Sequence, residues 1–181
     1  IIHFEGQRFD LSELPMHGHH NLNNALMAMY ASFLHGVDPQ KSFLALKNSN
    51  GVKRRFETIF QNNNKIVIDD FAHHPTAIST TVEAAINHFA SKKVIGIVEL
   101  ASNTMSRGHH GAELYDSASG LEQVYWLNLS SKKNQDFEYD SINLLLEDLK
   151  KDIDSIDVIL IMSNKDSKKI SEPIIDLIKS K

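Results

Sequence analysis

The 181-residue sequence contains no cysteine. This absence excludes disulfide bridges, a thiolate nucleophile and zinc held by cysteine ligands. It also agrees with the reducing conditions of the cytoplasm, so we expect a cytoplasmic protein. Glycine is scarce as well, with eight residues, and neither G-x-G-x-x-G nor G-x-x-x-x-G-K-[ST] occurs. The dinucleotide fingerprint and the P-loop are therefore absent, and a bound nucleotide would need other residues to hold most of its phosphates.

Long apolar runs and an excess of charge of one sign are also missing. No apolar stretch approaches the roughly 20 residues that span a bilayer. The first residues, IIHFEGQRFD, lack the basic and apolar regions of a signal peptide. The formal net charge is −4, and the sequence has no long basic stripe. We therefore expect neither a membrane nor a nucleic acid as a partner.

From residue 51 onward, strand patterns alternate with helical patterns. The strands are predicted at RFETIF, KIVIDDF, KKVIGIVEL, QVYWLNL and DVILIMS. A polar turn joins the first two strands, and helical patterns follow the second and fourth strands. A polar, glycine-containing stretch with room for a short helix, residues 102–120, follows the third strand, and a last helix is predicted with Pro173 in its first turn. This alternation is typical of an α/β fold with a mostly parallel sheet and helices on both faces.

The first 50 residues have a different pattern. Two strand-like pieces surround a turn at Glu5-Gly6, and an apolar stripe predicts a helix from Asn21 to His35. A second helix is predicted to begin near Pro39. The segment is short and shows no complete hydrophobic core, so we expect it to be the end of another domain.

Polar residues follow the strands of the predicted sheet, at the edge where ligands of parallel sheets bind. After the second strand, the stretch DDFAHHP (69–75) places two acids and two histidines before a helix-opening proline. The helix N-terminus favours an anion, the histidines can donate to a phosphate, and Asp70 can accept from a ribose hydroxyl or lie near magnesium. An alternative remains open, in which Asp69 or Asp70 caps the helix and the histidines are solvated loop residues.

Histidine doublets occur at residues 19–20, 73–74 and 109–110. Adjacent side chains diverge by roughly 100° on a helix and 180° on a strand, so a doublet rarely chelates one ion. The sequence has no H-E-x-x-H motif. We therefore predict no metal site within this chain.

Three blocks of the sequence resemble one enzyme family and follow each other in the family's order. VKRRFE followed by VIDDFAHHPTAI, with SNTM downstream, resembles the C-terminal domain of the Mur ligases, the ATP-dependent enzymes that build the peptidoglycan precursor. GHHNLNNALMA resembles the end of their central ATPase domain. The resemblance implies that residues 1–50 are a short α/β tail of the ATPase domain and residues 51–181 the Rossmann-like C-terminal domain. Because the family's P-loop lies in the central domain, this piece alone is expected to be inactive.

The motifs most resemble the family branch that joins UDP-N-acetylmuramate to the recycled tripeptide L-Ala-γ-D-Glu-meso-diaminopimelate. In the implied reaction, ATP phosphorylates the lactyl carboxylate and the amino group of the tripeptide attacks the acyl phosphate. ATP and Mg²⁺ are the implied cofactors, with Mg²⁺ bound mainly by the central domain. The implied partners are ATP, UDP-N-acetylmuramate and the tripeptide, which domain closure would bring together.

The resemblance also assigns residues to ATP. Arg55 matches an arginine that reaches the phosphates, a role suited to a forked guanidinium, whereas a surface arginine at a strand edge is the alternative. Asn21 matches an amide beside the adenine, although it can also be an ordinary helix N-cap. The implied ATP-binding residues are Arg55, Asp70, His73, His74, His20, Asn21 and Asn24.

The peptide-binding residues match less closely. Ala101 stands where relatives have an arginine, the natural partner of a diaminopimelate carboxylate, and Arg107 is the nearby substitute. The charged stretch SNKDSKK follows the fifth strand, where relatives have a glycine-rich loop. The implied peptide-binding residues are Glu99, Ser102, Asn103, Thr104, Arg107, Ser163 and Asn164.

Two other functions stay open at this point. DDFAHHP is also close to the pattern of the family branch that adds L-alanine to UDP-N-acetylmuramate, although SNTM favours the tripeptide branch. Because the chain carries no P-loop, a non-catalytic α/β binding module is the second alternative.

Overall fold

The computed structural model describes residues 1–100, 111–128 and 137–181. Within these ranges the chain folds into two compact units, Ile1–Arg55 and Phe56–Lys181. The boundary between the units falls shortly after the expected domain boundary at residue 50. The assignment of the first segment to the tail of an ATPase domain stays a prediction.

The first unit consists of a β-hairpin and two α-helices. The hairpin turn lies at Glu5 and Gly6, as expected, and both residues have positive φ angles, 48° and 73°. Two positive φ angles match the twist of a two-residue hairpin, and glycine adopts this conformation without strain. The elements are β1 (Ile2–Phe4), β2 (Gln7–Phe9), a 3₁₀ turn (Leu11–Glu13), α1 (His19–Leu34) and α2 (Pro39–Lys47).

The first unit has a small cluster of buried hydrophobic residues of its own. Helix α1 begins at His19, two residues before its predicted start, directly after Gly18 with a φ of 88°. Helix α2 begins at Pro39, and the Asp38 carboxylate caps it by accepting from the Gln40 N–H at 2.8 Å. The buried core residues are Phe9, Leu14, Ala25, Met29 and Phe43.

The second unit contains a six-stranded sheet in the order β3-β4-β8-β5-β6-β7. Strand β3 pairs antiparallel with β4, and every other pairing is parallel, which confirms the mostly parallel sheet. The elements are β3 (Glu57–Gln61), β4 (Ile66–Asp70), α3 (Pro75–His88), β5 (Val94–Glu99), α4 (Gly111–Asp116), β6 (Gln123–Leu127), β7 (Glu138–Tyr139), α5 (Ile142–Asp152), a 3₁₀ turn (Ile153–Ser155), β8 (Val158–Met162) and α6 (Lys168–Lys179).

Helices cover both faces of this sheet, which confirms the predicted layers. On the first face, Ile78 of α3 and Leu114 of α4 belong to one cluster of buried hydrophobic residues. On the second face, Leu145 of α5 and Ile174 of α6 belong to another. Successive strand residues alternate between the two clusters, as the pleat requires. None of the helices in the described ranges has the length and apolar character needed to cross a bilayer.

Two expected details of the second unit are wrong. Pro173 lies inside α6 rather than in its first turn, because the helix already begins at Lys168. The isoleucines at 170, 174 and 178 are buried at a spacing of four. The packing of Ile170 therefore extends the helix to the N-terminal side of the proline. Strand β3 starts at Glu57 rather than Arg55, because Phe56 has a φ of 56° that no strand residue adopts.

Candidate functional site

Three of the residues assigned to ATP line one cavity in the first unit. Asn21 and Asn24 reach it from α1, and Arg55 reaches it from the end of the unit. The cavity measures about 180 Å³ and is otherwise lined by Met16, Ala25, Ala28, Leu46 and Val52. A mostly apolar wall with two amides and a cation suits a flat, polar-edged group such as a nucleobase with phosphate nearby.

The two asparagines differ in their freedom to bind a ligand. Asn21 is only 6% exposed, and its Nδ2 donates to the His17 carbonyl at 2.9 Å. Because α1 begins at His19, Asn21 is the third helical residue, and the alternative that it is the N-cap is wrong. Asn24 lies three residues further along the helix and is exposed, so it shares a face with Asn21. His20 does not line this cavity.

Arg55 lies in a strained turn. Its neighbours Arg54 and Phe56 have φ angles of 57° and 56°, which non-glycine residues rarely adopt. The Arg55 N–H donates to the Val52 carbonyl at 3.1 Å, which closes the turn. Arg55 is exposed and lies two residues before β3, so it is a surface arginine outside the strand, and its contact with ATP phosphates stays a prediction. Such backbone strain is typical of functional sites, where surrounding contacts fix the position of one side chain.

Asp70, the predicted ribose acid, already accepts three hydrogen bonds from its own unit. Its Oδ2 accepts from the Phe56 N–H at 2.7 Å, and its Oδ1 accepts from the Ala72 N–H at 2.8 Å and the Thr81 hydroxyl at 3.2 Å. The side chain is only 2% exposed. Asp70 therefore ties the start of β3 and the turn into α3 to the end of β4. Contact with a ribose stays a prediction, made in addition to these bonds.

The two histidines of the motif lie at the start of α3. His74 is the N-cap residue without a side-chain cap, and Pro75 is the first helical residue, as predicted. The His73 ring Nδ1 lies 2.8 Å from the Phe71 carbonyl, which can only accept, so this nitrogen carries a proton. Only the charged imidazolium of His73 can then donate to a phosphate from Nε2. The two rings lie 4.2 Å apart, centroid to centroid.

The alternative that an aspartate caps α3 is not what the structure shows. Asp70 accepts from Ala72, which precedes the helix, and Asp69 points to the other face of the sheet. There the Ser167 hydroxyl donates to the Asp69 Oδ2 at 2.6 Å. Both residues of this second bond are buried, with 4% and 5% exposure. The two adjacent acids thus hold two different connections of the sheet.

The structure joins two of the residues assigned to the peptide. The Ser163 hydroxyl donates to the Glu99 Oε2, and both side chains are buried at the carboxyl ends of neighbouring strands. Asn164 follows Ser163, and its Oδ1 is buried without a hydrogen-bond partner among the described residues. Four further assignments, Ser102, Asn103, Thr104 and Arg107, lie outside the described residues.

Sequence reasoning missed several buried polar residues at this edge. Beyond Ser167, the Asn128 Nδ2 donates to the Glu138 Oε1 at 2.9 Å, and both residues are at most 2% exposed. Burial raises the pKa of Tyr115, and the Glu138 carboxylate raises it further. The position of Asn128 directly after a strand could have identified it from the sequence. Glu138 could not be identified in this way, because the two-residue strand β7 is too short to show a periodic pattern.

Metal binding was not predicted within the chain. Across residues 1–100, 111–128 and 137–181, no group of three histidine or acidic side chains comes together in a way that could hold an ion. The placement of the Mg²⁺ implied by the resemblance stays a prediction.

Comparison with known proteins places these features in a family. The family model described as "Mur ligase, glutamate ligase domain" matches residues 54–165, which is more than half of the chain. The chain belongs to the Mur ligase family. The motif VKRRFE (52–57) spans the start of this matched region and VIDDFAHHPTAI (67–78) lies inside it, so the resemblance expected from them is confirmed.

Individual relatives cover almost the whole chain. A UDP-N-acetylmuramate–L-alanine ligase of Streptococcus pneumoniae (strain Hungary19A-6) is 33% identical over 164 residues, 90% of this chain and 36% of that protein. The crystal structure of a murein peptide ligase from Psychrobacter arcticus 273-4 is 31% identical, with a TM-score of 0.66 over 89% of this chain and 37% of its own.

A third relative shows the shared fold. A UDP-N-acetylmuramate–alanine ligase from Thermotoga maritima is 24% identical, with a TM-score of 0.63 over 90% of this chain and 38% of its own. At 24% sequence identity, this comparison shows similarity of the fold alone. This chain spans little more than a third of the length of the curated relatives it matches, 36%.

Proposed function

We propose that this chain is the C-terminal part of an ATP-dependent ligase that forms an amide bond between UDP-N-acetylmuramate and the amino group of a peptide. Membership of the Mur ligase family over residues 54–165 carries this proposal. The proposed acceptor is the tripeptide L-Ala-γ-D-Glu-meso-diaminopimelate. Support for it comes from the SNTM motif and from 31% identity with a murein peptide ligase.

The cavity of the first unit is the proposed nucleotide-binding part of this chain. The amides of Asn21 and Asn24 would pair with the adenine edge, and the Arg55 guanidinium would neutralise phosphate charge. When bound, ATP supplies the phosphoryl group that converts the lactyl carboxylate into an activated acyl donor. The volume of about 180 Å³ lies below the range of complete ligand pockets, which agrees with a site completed by other parts of the parent protein.

The second unit would receive the amine acceptor. Glu99 ends β5 with a buried carboxylate, which favours a positively charged amino group nearby. The amino group attacks only in its uncharged form. A carboxylate beside it can accept a proton that the amino group loses before or during the attack. In this proposal the first unit contributes Asn21, Asn24 and Arg55 to nucleotide binding, and Glu99 of the second unit contacts the acceptor. Asp70, His73 and His74 of the second unit stay assigned to ATP.

The test uses the full-length parent protein with ATP, UDP-N-acetylmuramate and either the tripeptide or L-alanine. Phosphate release and the mass of the product measure ligation. We expect the tripeptide to give a saturable rate and the ligated product. Substitution Arg55→Ala should lower kcat/KM for ATP at least about tenfold with an unchanged acceptor KM, because a charge-assisted bond is lost. The exposed neighbour Lys53 provides the matched control, Lys53→Ala.

A second candidate acceptor is L-alanine, which the 33% identity with an L-alanine ligase favours. Saturation by L-alanine with no rate for the tripeptide would select this candidate. Absence of phosphate release with both amines would refute ligation and favour a non-catalytic binding module.

A further inference from the structure

The loop that follows β8 occupies a special position in the sheet. Strand β8 lies between β4 and β5. The helices after β4 and β5 pack on the first face, whereas α6, which follows β8, packs on the second. The helix after β8 therefore lies on the opposite face from the helices that follow both neighbouring strands, and ligands of open α/β sheets bind at strand ends where the connections change face in this way. We refer to residues 163–167 as the β8–α6 loop.

Two serine–carboxylate hydrogen bonds hold the β8–α6 loop to both neighbouring strands. At its start, the Ser163 hydroxyl donates to the Glu99 carboxylate of β5. At its end, the Ser167 hydroxyl donates to the Asp69 carboxylate of β4 at 2.6 Å. The four side chains are at most 8% exposed, and hydrogen bonds to a charged acceptor are the stronger kind. We call these bonds the Glu99 clamp and the Asp69 clamp.

The Ser163 hydroxyl forms hydrogen bonds that hold the loop, and its hydrogen is not available to a ligand. Its hydrogen is given to Glu99, and its oxygen accepts from the Lys165 N–H at 3.0 Å. The Ser163 backbone N–H donates to the Asp70 carbonyl at 3.1 Å. A hydroxyl has one hydrogen to donate, so Ser163 cannot donate to a substrate while the Glu99 clamp is closed.

The Ser167 side chain forms the Asp69 clamp instead of capping helix α6. It is the N-cap residue of α6, yet its side chain makes no cap hydrogen bond. A serine at this position normally accepts from an N–H of the first helical turn. Here the hydroxyl is turned toward Asp69 instead. The local preference of the helix is thus overridden by a bond that fixes the loop.

Between the two clamps lies the side chain with an unmet hydrogen-bonding need. The Asn164 Oδ1 is buried and has no partner within the described part of the chain. An amide oxygen only accepts, and a buried acceptor without a donor is costly. An N–H group of a ligand would satisfy it, and the Glu99 carboxylate, which accepts from the hydroxyl of the preceding residue Ser163, favours a ligand whose N–H group is a cationic amine.

We propose that Ser167 and Asp69 are positioning residues, which fix the β8–α6 loop so that the Asn164 Oδ1 receives an N–H of the amine acceptor. This inference rests on the proposed ligase function and extends it. Asn164 and Glu99 contact the acceptor, while Ser163 holds the loop from its other end. The acceptor class is a primary amine that enters beside a carboxylate.

The test is a kinetic comparison in the full-length protein. Substitution Ser167→Ala opens the Asp69 clamp and should raise the KM for the peptide acceptor about tenfold, with an unchanged KM for ATP. Ser167→Thr keeps a hydroxyl and should restore most of the wild-type KM. Asp69→Asn weakens the same clamp from its other side and should raise the same KM if Ser167→Ala does not fold. Amide hydrogen exchange of the β8–α6 loop should become faster in Ser167→Ala.

Ser171 supplies the matched control. It lies one turn along α6 and is 4% exposed, but its hydroxyl makes no hydrogen bond to a described carboxylate. Ser171→Ala should leave both KM values and the exchange of the loop unchanged. An unchanged acceptor KM in Ser167→Ala, or an equal rise in the KM for ATP, would overturn the inference alone. A full-length wild-type protein that ligates no amine would overturn the proposed function and this inference together.

Discussion

Substitution of Asp70 by asparagine is expected to destabilise the second unit strongly. The carboxylate is 2% exposed and accepts from the Phe56 N–H, the Ala72 N–H and the Thr81 hydroxyl at 2.7, 2.8 and 3.2 Å. Asparagine has the same shape but only one accepting oxygen. Its NH₂ group must face either Phe56 or the pair of Ala72 and Thr81, and a donor then meets a donor.

The expected magnitude follows from the number and kind of bonds lost. Hydrogen bonds to a charged acceptor contribute about 1.5–3 kcal/mol each, and a buried donor left unpaired costs about 1–3 kcal/mol. We therefore expect Asp70→Asn to lower the free energy of unfolding by about 2–4 kcal/mol. Thr81→Val removes only the longest of the three bonds and should cost about 1 kcal/mol.

Urea unfolding followed by tryptophan fluorescence measures this effect in the relevant unit. Trp126 is the single tryptophan of the chain and is 5% exposed in β6, so its fluorescence reports on the second unit. A loss of 2–4 kcal/mol corresponds to a midpoint lower by about 1–2 M urea. Asp176→Asn, an exposed substitution on α6, is the control and should stay within about 0.5 kcal/mol of wild type. Equal midpoints for Asp70→Asn and Asp176→Asn would refute the reasoning.

Three further predictions concern the second face of the sheet. Tyr139→Phe should lower the free energy of unfolding in urea by about 1–2 kcal/mol, because the Tyr139 hydroxyl donates to Asp148 at 2.6 Å. Tyr125→Phe should keep or raise that free energy, because the buried Tyr125 hydroxyl has no partner among the described residues. An equal loss in both variants would contradict this prediction. Burial raises the pKa of Tyr125 to about 12, so between pH 10 and 12 the unfolded chain binds fewer protons, and the urea midpoint should fall as pH rises. Tyr125→Phe should make that fall smaller, and an identical pH profile would contradict the assignment. Leu145→Ala should cost about 2–5 kcal/mol by urea unfolding because Leu145 is fully buried, whereas Leu144→Ala, at a 43% exposed position, should stay within about 0.5 kcal/mol; similar losses would contradict the packing.

Local patterns predicted the elements of the fold but not their order in the sheet. The strand and helix alternation after residue 51 and the opening of α3 at Pro75 follow from hydrophobic period and turn chemistry. The insertion of β8 between β4 and β5 depends on contacts far apart in the chain, which no local pattern contains. That insertion brings Ser167 to Asp69 across 98 positions of sequence.

The candidate site was predicted only in part for the same reason. The amides of α1 and Arg55 belong to motifs that the resemblance assigns to ATP, and they line one cavity. The motif at 69–75 pointed to a ligand, whereas the structure shows that its second acid is occupied by three donors of the same unit. Motif matching identifies which residues matter, but it does not separate contact with a ligand from support of the backbone.

The two adjacent acids at the end of β4 explain why this corner of the sheet is well defined. Successive strand residues point to opposite faces, so Asp70 faces α3 and Asp69 faces α6. Asp70 fixes the turn into α3, and Asp69 fixes the β8–α6 loop, so one dipeptide holds two connections that leave the sheet on opposite sides. If the proposed ligase function holds, the site must align an amine with an activated carboxylate and needs such rigid support, because small displacements of reacting groups cost large factors in rate. The dipeptide Asp69-Asp70 therefore fixes the positions of both connections, and under the proposed function substitutions in either acid should alter different sides of the site.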